Sequence, residues 1–99
     1  MRQVMVRYRV RPDRVVENEA LVRAVYDELA ETRPPGLRYA TFRLADGVTF
    51  VHVADHDEDN PLRSVAAFQR FQEGIRERCD EPPVVTELQE IGSYRMFGA

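Results

Sequence analysis

Leu37-Arg38-Tyr39-Ala40-Thr41-Phe42-Arg43-Leu44-Ala45-Asp46-Gly47-Val48-Thr49-Phe50-Val51-His52-Val53-Ala54 is the stretch whose reading decides the fold. Two runs rich in β-branched and aromatic residues, 37–44 and 48–54, flank Ala45-Asp46-Gly47. Asp46-Gly47 supplies the positive φ that a tight turn needs, so the stretch predicts two antiparallel strands joined as a hairpin.

Upstream, Pro34-Pro35-Gly36 closes a helix expected over 15–32. Leu21, Val25 and Leu29 recur every fourth residue, Val22 and Ala24 widen that stripe, and acidic residues and Arg23 cover the rest. Before it, residues 4–10 alternate: Val4, Val6, Tyr8 and Val10 share one face, and Met5, Arg7 and Arg9 the other. That period of two is a strand, and Pro12 ends it because proline cannot donate to a ladder. Downstream, an acidic loop over 55–59 leads to Asn60-Pro61, a cap followed by proline at a helix start. A second helix is expected from there to about Cys79, with Val65, Phe68, Phe71 (or Gln72), Ile75 and Cys79 along its apolar side. Pro82-Pro83 should break it, and 84–97 reads as a long last strand bent at Gly92. The order β-α-β-β-α-β is that of a ferredoxin-like α+β fold with a four-stranded antiparallel sheet. The first and third strands should be central, within one domain over residues 1–99.

The last strand predicts a homodimer. Fourteen extended residues reach about 45 Å at ~3.3 Å each, whereas a domain of this length has a radius of gyration of about 13 Å. Its own sheet cannot pair all of it, and the surplus edge would carry Ile91, Tyr94, Met96 and Phe97. Soluble proteins cover such edges. Helices can cover one sheet face only, while the other still carries apolar residues such as Phe50 or Phe42. Two sheets packed back to back would bury both.

Composition narrows the function classes. The chain has 99 residues, 43% hydrophobic and 31% charged, as expected of a folded chain. Its net charge is −3, and all 14 basic residues are arginine. An acidic balance argues against general nucleic-acid or anionic-membrane binding, which need a positive field. One cysteine, Cys79, permits no internal disulfide, and no run suits a signal peptide or a membrane span. The cytoplasm is the expected location.

Four stretches carry a resemblance: Pro35-Gly36-Leu37-Arg38-Tyr39, Phe50-Val51-His52-Val53, Val65-Ala66-Ala67-Phe68-Gln69-Arg70-Phe71 and Glu81-Pro82-Pro83-Val84-Val85. Together they resemble the antibiotic biosynthesis monooxygenase-like family of dimeric α+β barrels, across most of the chain. The resemblance implies a pocket between sheet and helices that takes a small aromatic or hydrophobic molecule. It also implies oxidation by molecular oxygen, in several members with no cofactor, because the substrate supplies the electrons. The better-known members use an asparagine and a tryptophan near the pocket. This chain has no tryptophan, and His56 stands where members often have one. Asn18 and Asn60 do not match the first-strand asparagine of the haem-degrading members.

Among individual residues, His52 is the natural general base at neutral pH, with Tyr39 on the neighbouring strand to orient it or share its proton. A hydrogen-bonded histidine of the core or of a dimer contact is the plainer account. Tyr8 is a further hydrogen-bond partner, and Phe68 and Phe71 are pocket walls or simply core. Arg7 with Arg9 could clamp an anionic oxygen, although cross-strand pairing with Glu87, Gln89 and Glu90 explains both more simply. His52 and His56 lie about 13 Å apart on a strand, and the acidic loop lacks the glycine and the distal glutamate of a calcium loop; no metal is expected. Gly47, Phe50 and Val51 overlap an RNA-recognition motif, but Val48 and Val53 replace its stacking aromatics. The competing class is a non-enzymatic accessory or ligand-sensing dimer.

Overall fold

The computed structural model describes residues 2–57 and 59–96. Strand β1 (Arg2–Val10) leads through a 3-10 turn (Pro12–Arg14) into helix α1 (Val15–Thr32). Strands β2 (Leu37–Arg43) and β3 (Thr49–His56) form the hairpin. A second 3-10 turn (Pro61–Ser64) precedes the short helices α2 (Ala66–Gln72) and α3 (Ile75–Arg78), and β4 (Cys79–Leu88) closes the sheet. The strand order is β2-β3-β1-β4, with all neighbours antiparallel. The ferredoxin-like α+β architecture, with β1 and β3 central, is therefore as the sequence predicts. No helix among the described residues is long and apolar enough to cross a membrane.

The hairpin forms for the reason its sequence suggests. Gly47 adopts φ 79°, and Asp46 Oδ1 accepts from the backbone N–H of both Val48 and Thr49 at 2.9 Å. At its other end, α1 stops at Arg33 in the left-handed region, whose N–H donates to the Leu29 carbonyl at 2.9 Å.

Three features depart from expectation. The single second helix is three pieces. Val65 is extended between the 3-10 turn and α2, and Gly74 at φ 69° separates α2 from α3. The carbonyls freed at that break are taken up by the Arg78 guanidinium, which donates to the Phe71 oxygen at 2.6 Å and the Glu73 oxygen at 2.9 Å. Asn60 caps the 3-10 turn rather than α2. The N-terminus of α2 is instead capped by Glu28 of α1, which accepts from the Ala66 and Ala67 N–H groups at 3.1 and 2.9 Å.

Secondly, β4 starts at Cys79, not after the prolines. Its register shifts between Arg7↔Val84 and Arg9↔Glu81, so Pro82 and Pro83 stand against one residue of β1. Such a bulge on an edge strand tolerates residues that cannot donate. Thirdly, β4 ends at Leu88, opposite Gln3 near the start of β1, and residues 89–96 form no strand. Beyond that point only Arg2 of β1 remains beside it among the described residues. The expected strand over 84–97 is thus cut short, and Phe97 lies outside the described residues.

The register sorts the two sheet faces. Val6 and Tyr8 of β1, Phe50, His52 and Ala54 of β3 and Tyr39 and Thr41 of β2 face the helices. Tyr8, Val10, Val22, Val25, Phe50, Leu62 and Phe71 are the centre of the core beneath α1 and α2. Phe50 therefore belongs to the helix-covered face, at 2% exposure, and Phe42 to the other, at 43%. The uncovered face carries Gln3, Met5, Arg7, Val51, Val53, Ala40 and Phe42.

Candidate functional site

His52 sits at the middle of β3, opposite Val6 of β1 and Thr41 of β2. Side chains on one face repeat every second residue, so Tyr8 and Tyr39 become its diagonal neighbours on the flanking strands. The Tyr8 hydroxyl lies 2.7 Å from His52 Nε2, and the Tyr39 hydroxyl 2.5 Å from Nδ1. Thr41 Oγ1 is 3.1 Å from the same Nδ1. Phe71 packs on the imidazole at 5.2 Å between ring centres, and Phe68 meets Phe71 at 6.0 Å and the Tyr39 edge at 6.5 Å. Five residues singled out from the sequence, Tyr8, Tyr39, His52, Phe68 and Phe71, therefore meet in one place.

The environment sets the protonation states. His52 is only 4% exposed and Tyr8 1%. Burial lowers the His52 pKa from 6.5 to about 4, so the ring is neutral at pH 7. Burial also pushes the Tyr8, Tyr26 and Tyr39 hydroxyls above the ordinary phenol range, and all three keep their protons.

Two further residues complete the cluster, and neither carried a sequence signal beyond its polarity on an apolar helix face. Asn18 of α1 is fully buried and donates to the Tyr8 hydroxyl at 3.0 Å. Arg78 is 2% exposed and donates through Nε to Asn18 Oδ1 at 3.2 Å. Its guanidinium also stands 5.5 Å over the Phe71 ring. On the opposite flank, the Tyr26 hydroxyl is 2.7 Å from Thr41 Oγ1, and its ring stacks on Tyr39 at 5.4 Å. A continuous polar seam thus crosses the core from Arg78 to Tyr26.

A cleft of about 350 Å³ opens at the Tyr26 end, between α1 and β2. Tyr26, Tyr39, Leu29, Pro34, Leu37 and Arg33 are among the residues that line it. His52 does not line it; Tyr39 directly, and Tyr26 by way of Thr41, connect the cleft to the imidazole. A larger groove of about 620 Å³ lies on the uncovered sheet face, between Arg38, Ala40, Val53 and Asp55 and the segment 88–93 with Met96. There one Asp55 carboxylate oxygen is buried without a hydrogen-bond partner among the described residues.

The remaining sequence candidates are placed elsewhere. Arg7 projects from the sheet face opposite His52, and it forms no ion pair among the described residues; the glutamate expected beside it, Glu87, binds Arg2 at 3.0 Å. His56 is buried at the far end of β3, with Nδ1 2.6 Å from the Asp57 carbonyl. No group of three or more histidine, cysteine or carboxylate side chains among the described residues is arranged to hold a metal ion. Cys79 begins β4 instead of ending a helix, and burial raises its thiol pKa. Ile91, Tyr94 and Met96 are exposed, at 93%, 78% and 57%.

No protein-family model and no curated protein matches the chain. Solved structures do. A candidate antibiotic biosynthesis monooxygenase from Nitrosomonas europaea superposes with a TM-score of 0.74 at 16% identity, covering 93% of this chain and 100% of that one. A second, from Caulobacter crescentus, gives 0.71 at 18% identity over 92% and 90% of the two chains. A Mycobacterium tuberculosis protein gives 0.68 at 23% identity over 93% and 96%. At such identities the likeness is one of fold, and the fold of this chain is that of the antibiotic biosynthesis monooxygenase-like structures.

Proposed function

We propose that the chain works as a cytoplasmic homodimer that binds a small aromatic molecule in the Tyr26–Tyr39 cleft and oxidises it with molecular oxygen. The observation that carries this reading is the neutral His52 held between two phenols, one of which lines an aromatic-walled cleft. Tyr39 meets the ligand and His52 stands behind it, with Phe68 packed on Tyr39 and Phe71 on the imidazole from the core side. For an anthrone-type substrate, the methylene loses two hydrogens and one atom of O2 becomes its new carbonyl oxygen. The other oxygen atom leaves as water with those hydrogens, so the substrate itself is the reductant. The monooxygenases of like fold make this chemistry the first to test.

The dimer is supported by the unfinished edge. Val84, Val85, Leu88, Ile91, Tyr94 and Met96 are exposed on or beyond β4, and the groove on the uncovered sheet face ends at the same segment. A second copy laid on that face would cover both. Light scattering at micromolar concentration should give twice the chain mass, and Ile91→Asp with Met96→Asp should halve it.

Oxygen uptake is to be measured with a panel of hydroquinones and anthrones, against Tyr39→Phe and His52→Gln. Turnover that falls at least tenfold in both variants supports the reading. Turnover equal to the variants', or none with any substrate, removes it. A second reading, a ligand-sensing dimer without chemistry, is favoured by both imidazole nitrogens being engaged inside the core. It is supported if the panel binds with no oxygen uptake.

A further inference from the structure

The polar seam has a direction, and Arg78 sets it. A guanidinium can only donate. Its Nε lies 3.2 Å from one end of the Asn18 carboxamide, so that end is the oxygen, and the NH2 faces the Tyr8 hydroxyl at 3.0 Å. The Tyr8 oxygen accepts there. Its single proton then has one acceptor within reach, His52 Nε2 at 2.7 Å. A neutral imidazole that accepts at Nε2 carries its proton on Nδ1. Nδ1–H points to the Tyr39 oxygen at 2.5 Å, with Thr41 Oγ1 as a second acceptor at 3.1 Å.

Beyond His52 lie three hydroxyl protons, on Tyr39, Thr41 and Tyr26. Nδ1 is already protonated, so none of them can return to His52. Tyr39 and Tyr26 both hydrogen-bond Thr41, Tyr26 at 2.7 Å, so a row of the three hydroxyls that runs one way absorbs two of these protons and leaves the third on the phenol at its end. Tyr39 and Tyr26 both line the cleft.

We infer that Arg78, Asn18, Tyr8 and His52 form a one-way hydrogen-bond chain that leaves a phenol proton of Tyr39 or Tyr26 pointing into the cleft, so that the cleft selects a ligand oxygen that accepts. A carbonyl or a phenolate fits such an end; a neutral hydroxyl presenting its proton does not. Burial keeps the Tyr8, Tyr26 and Tyr39 phenols protonated and His52 neutral, as the chain requires. Arg33, which also lines the cleft, biases the same choice towards an anionic oxygen. Within this scheme His52 is a positioning donor to Tyr39, not the base that its residue type suggests. The ligand half rests on the cleft being the binding site; the polarity does not.

The test uses the full chain at pH 7. With only two histidines, His56→Asn assigns the imidazole signals. Long-range 1H–15N correlation should then show His52 as the Nδ1–H tautomer; an Nε2–H signal overturns the chain. Asn18→Asp keeps the shape but replaces the donor facing Tyr8 with an acceptor. It should turn the Tyr8 proton towards α1 and switch His52 to Nε2–H, whereas an unchanged tautomer would show that Asn18 does not set the direction. For the ligand half, 4-nitrophenol is titrated with and without protein. The bound dye should ionise at a pH lower by one unit or more, a tenfold preference for phenolate, and Arg33→Gln should reduce that shift. A bound dye that ionises at higher pH overturns the acceptor rule. If the dye fails to bind at millimolar protein, the cleft falls as a ligand site, while the tautomer result still decides the polarity.

Discussion

The Tyr8 hydroxyl stands 2.7 Å from His52 Nε2, with both side chains in the core and both belonging to the two central strands. A polar pair at that depth must be internally satisfied, because both side chains are almost wholly shielded from solvent. Removing the Tyr8 oxygen leaves the Asn18 amide and His52 Nε2 unpaired. Tyr8→Phe should therefore lower unfolding free energy by about 1–3 kcal/mol, despite preserving the stacking on Phe50. Urea denaturation at pH 7 measures this; a loss below about 0.5 kcal/mol would mean that the seam contributes little to stability.

His52 also makes stability depend on pH. Its folded pKa is about 4, below the ordinary 6.5, so between those values the unfolded chain binds more protons. Its contribution is fully present above pH 6.5 and is lost as pH falls towards 4, with a slope of up to about 1.4 kcal/mol per pH unit. Denaturation midpoints across pH 4–7 should show this slope in the native chain and a flatter line in His52→Gln.

Asp46 titrates lower still. The Thr49 hydroxyl first, then the Val48 and Thr49 N–H groups, hold its carboxyl down to about 2 from an ordinary 3.8. The stability it lends to the hairpin is present above pH 3.8 and disappears as pH falls through 2. Carboxyl NMR titration should find Asp46 still ionised at pH 3, and Asp46→Asn should remove that step from the acid unfolding profile.

Arg78 holds together the break between α2 and α3. Arg78→Met would leave the Phe71 and Glu73 carbonyls and Asn18 Oδ1 without their donor. A loss of about 3 kcal/mol or more is expected from these charge-assisted bonds, with lost amide-exchange protection concentrated in 66–78. Arg78→Lys should recover only part of it, because one ammonium cannot reproduce the spread of the guanidinium fork.

Glu28 tests a cap made between helices. Glu28→Ala should cost about 1 kcal/mol, as other N-cap losses do, and should speed amide exchange at Ala66 and Ala67. Glu28→Gln, which keeps an acceptor, should retain part of the cap. Equal losses in both variants would show that the carboxylate charge at the helix end matters more than the hydrogen bonds.

Local chemistry was sufficient for the elements. Period-two runs, the apolar stripe of α1 and the Asp46-Gly47 turn each act within a few residues, and so the strands, the first helix and the sheet order can be read from the chain. The same periodicity places Tyr8, His52 and Tyr39 on one face, which is why the centre of the candidate site is legible too. What tertiary structure alone decided involves groups distant in sequence. Asn18 and Arg78 read as an unremarkable polar pair until folding buries them together, 60 residues apart. Glu28 reads as a solvated helix residue until α2 presents its free N–H groups. The second helix looks continuous because its apolar spacing persists, yet a buried arginine makes the break at Gly74 tolerable by taking its carbonyls. Hydrophobic pattern says which face is buried, whereas the pairing of buried polar atoms depends on which backbones and side chains the fold brings within 3 Å or so, and that is settled only in three dimensions.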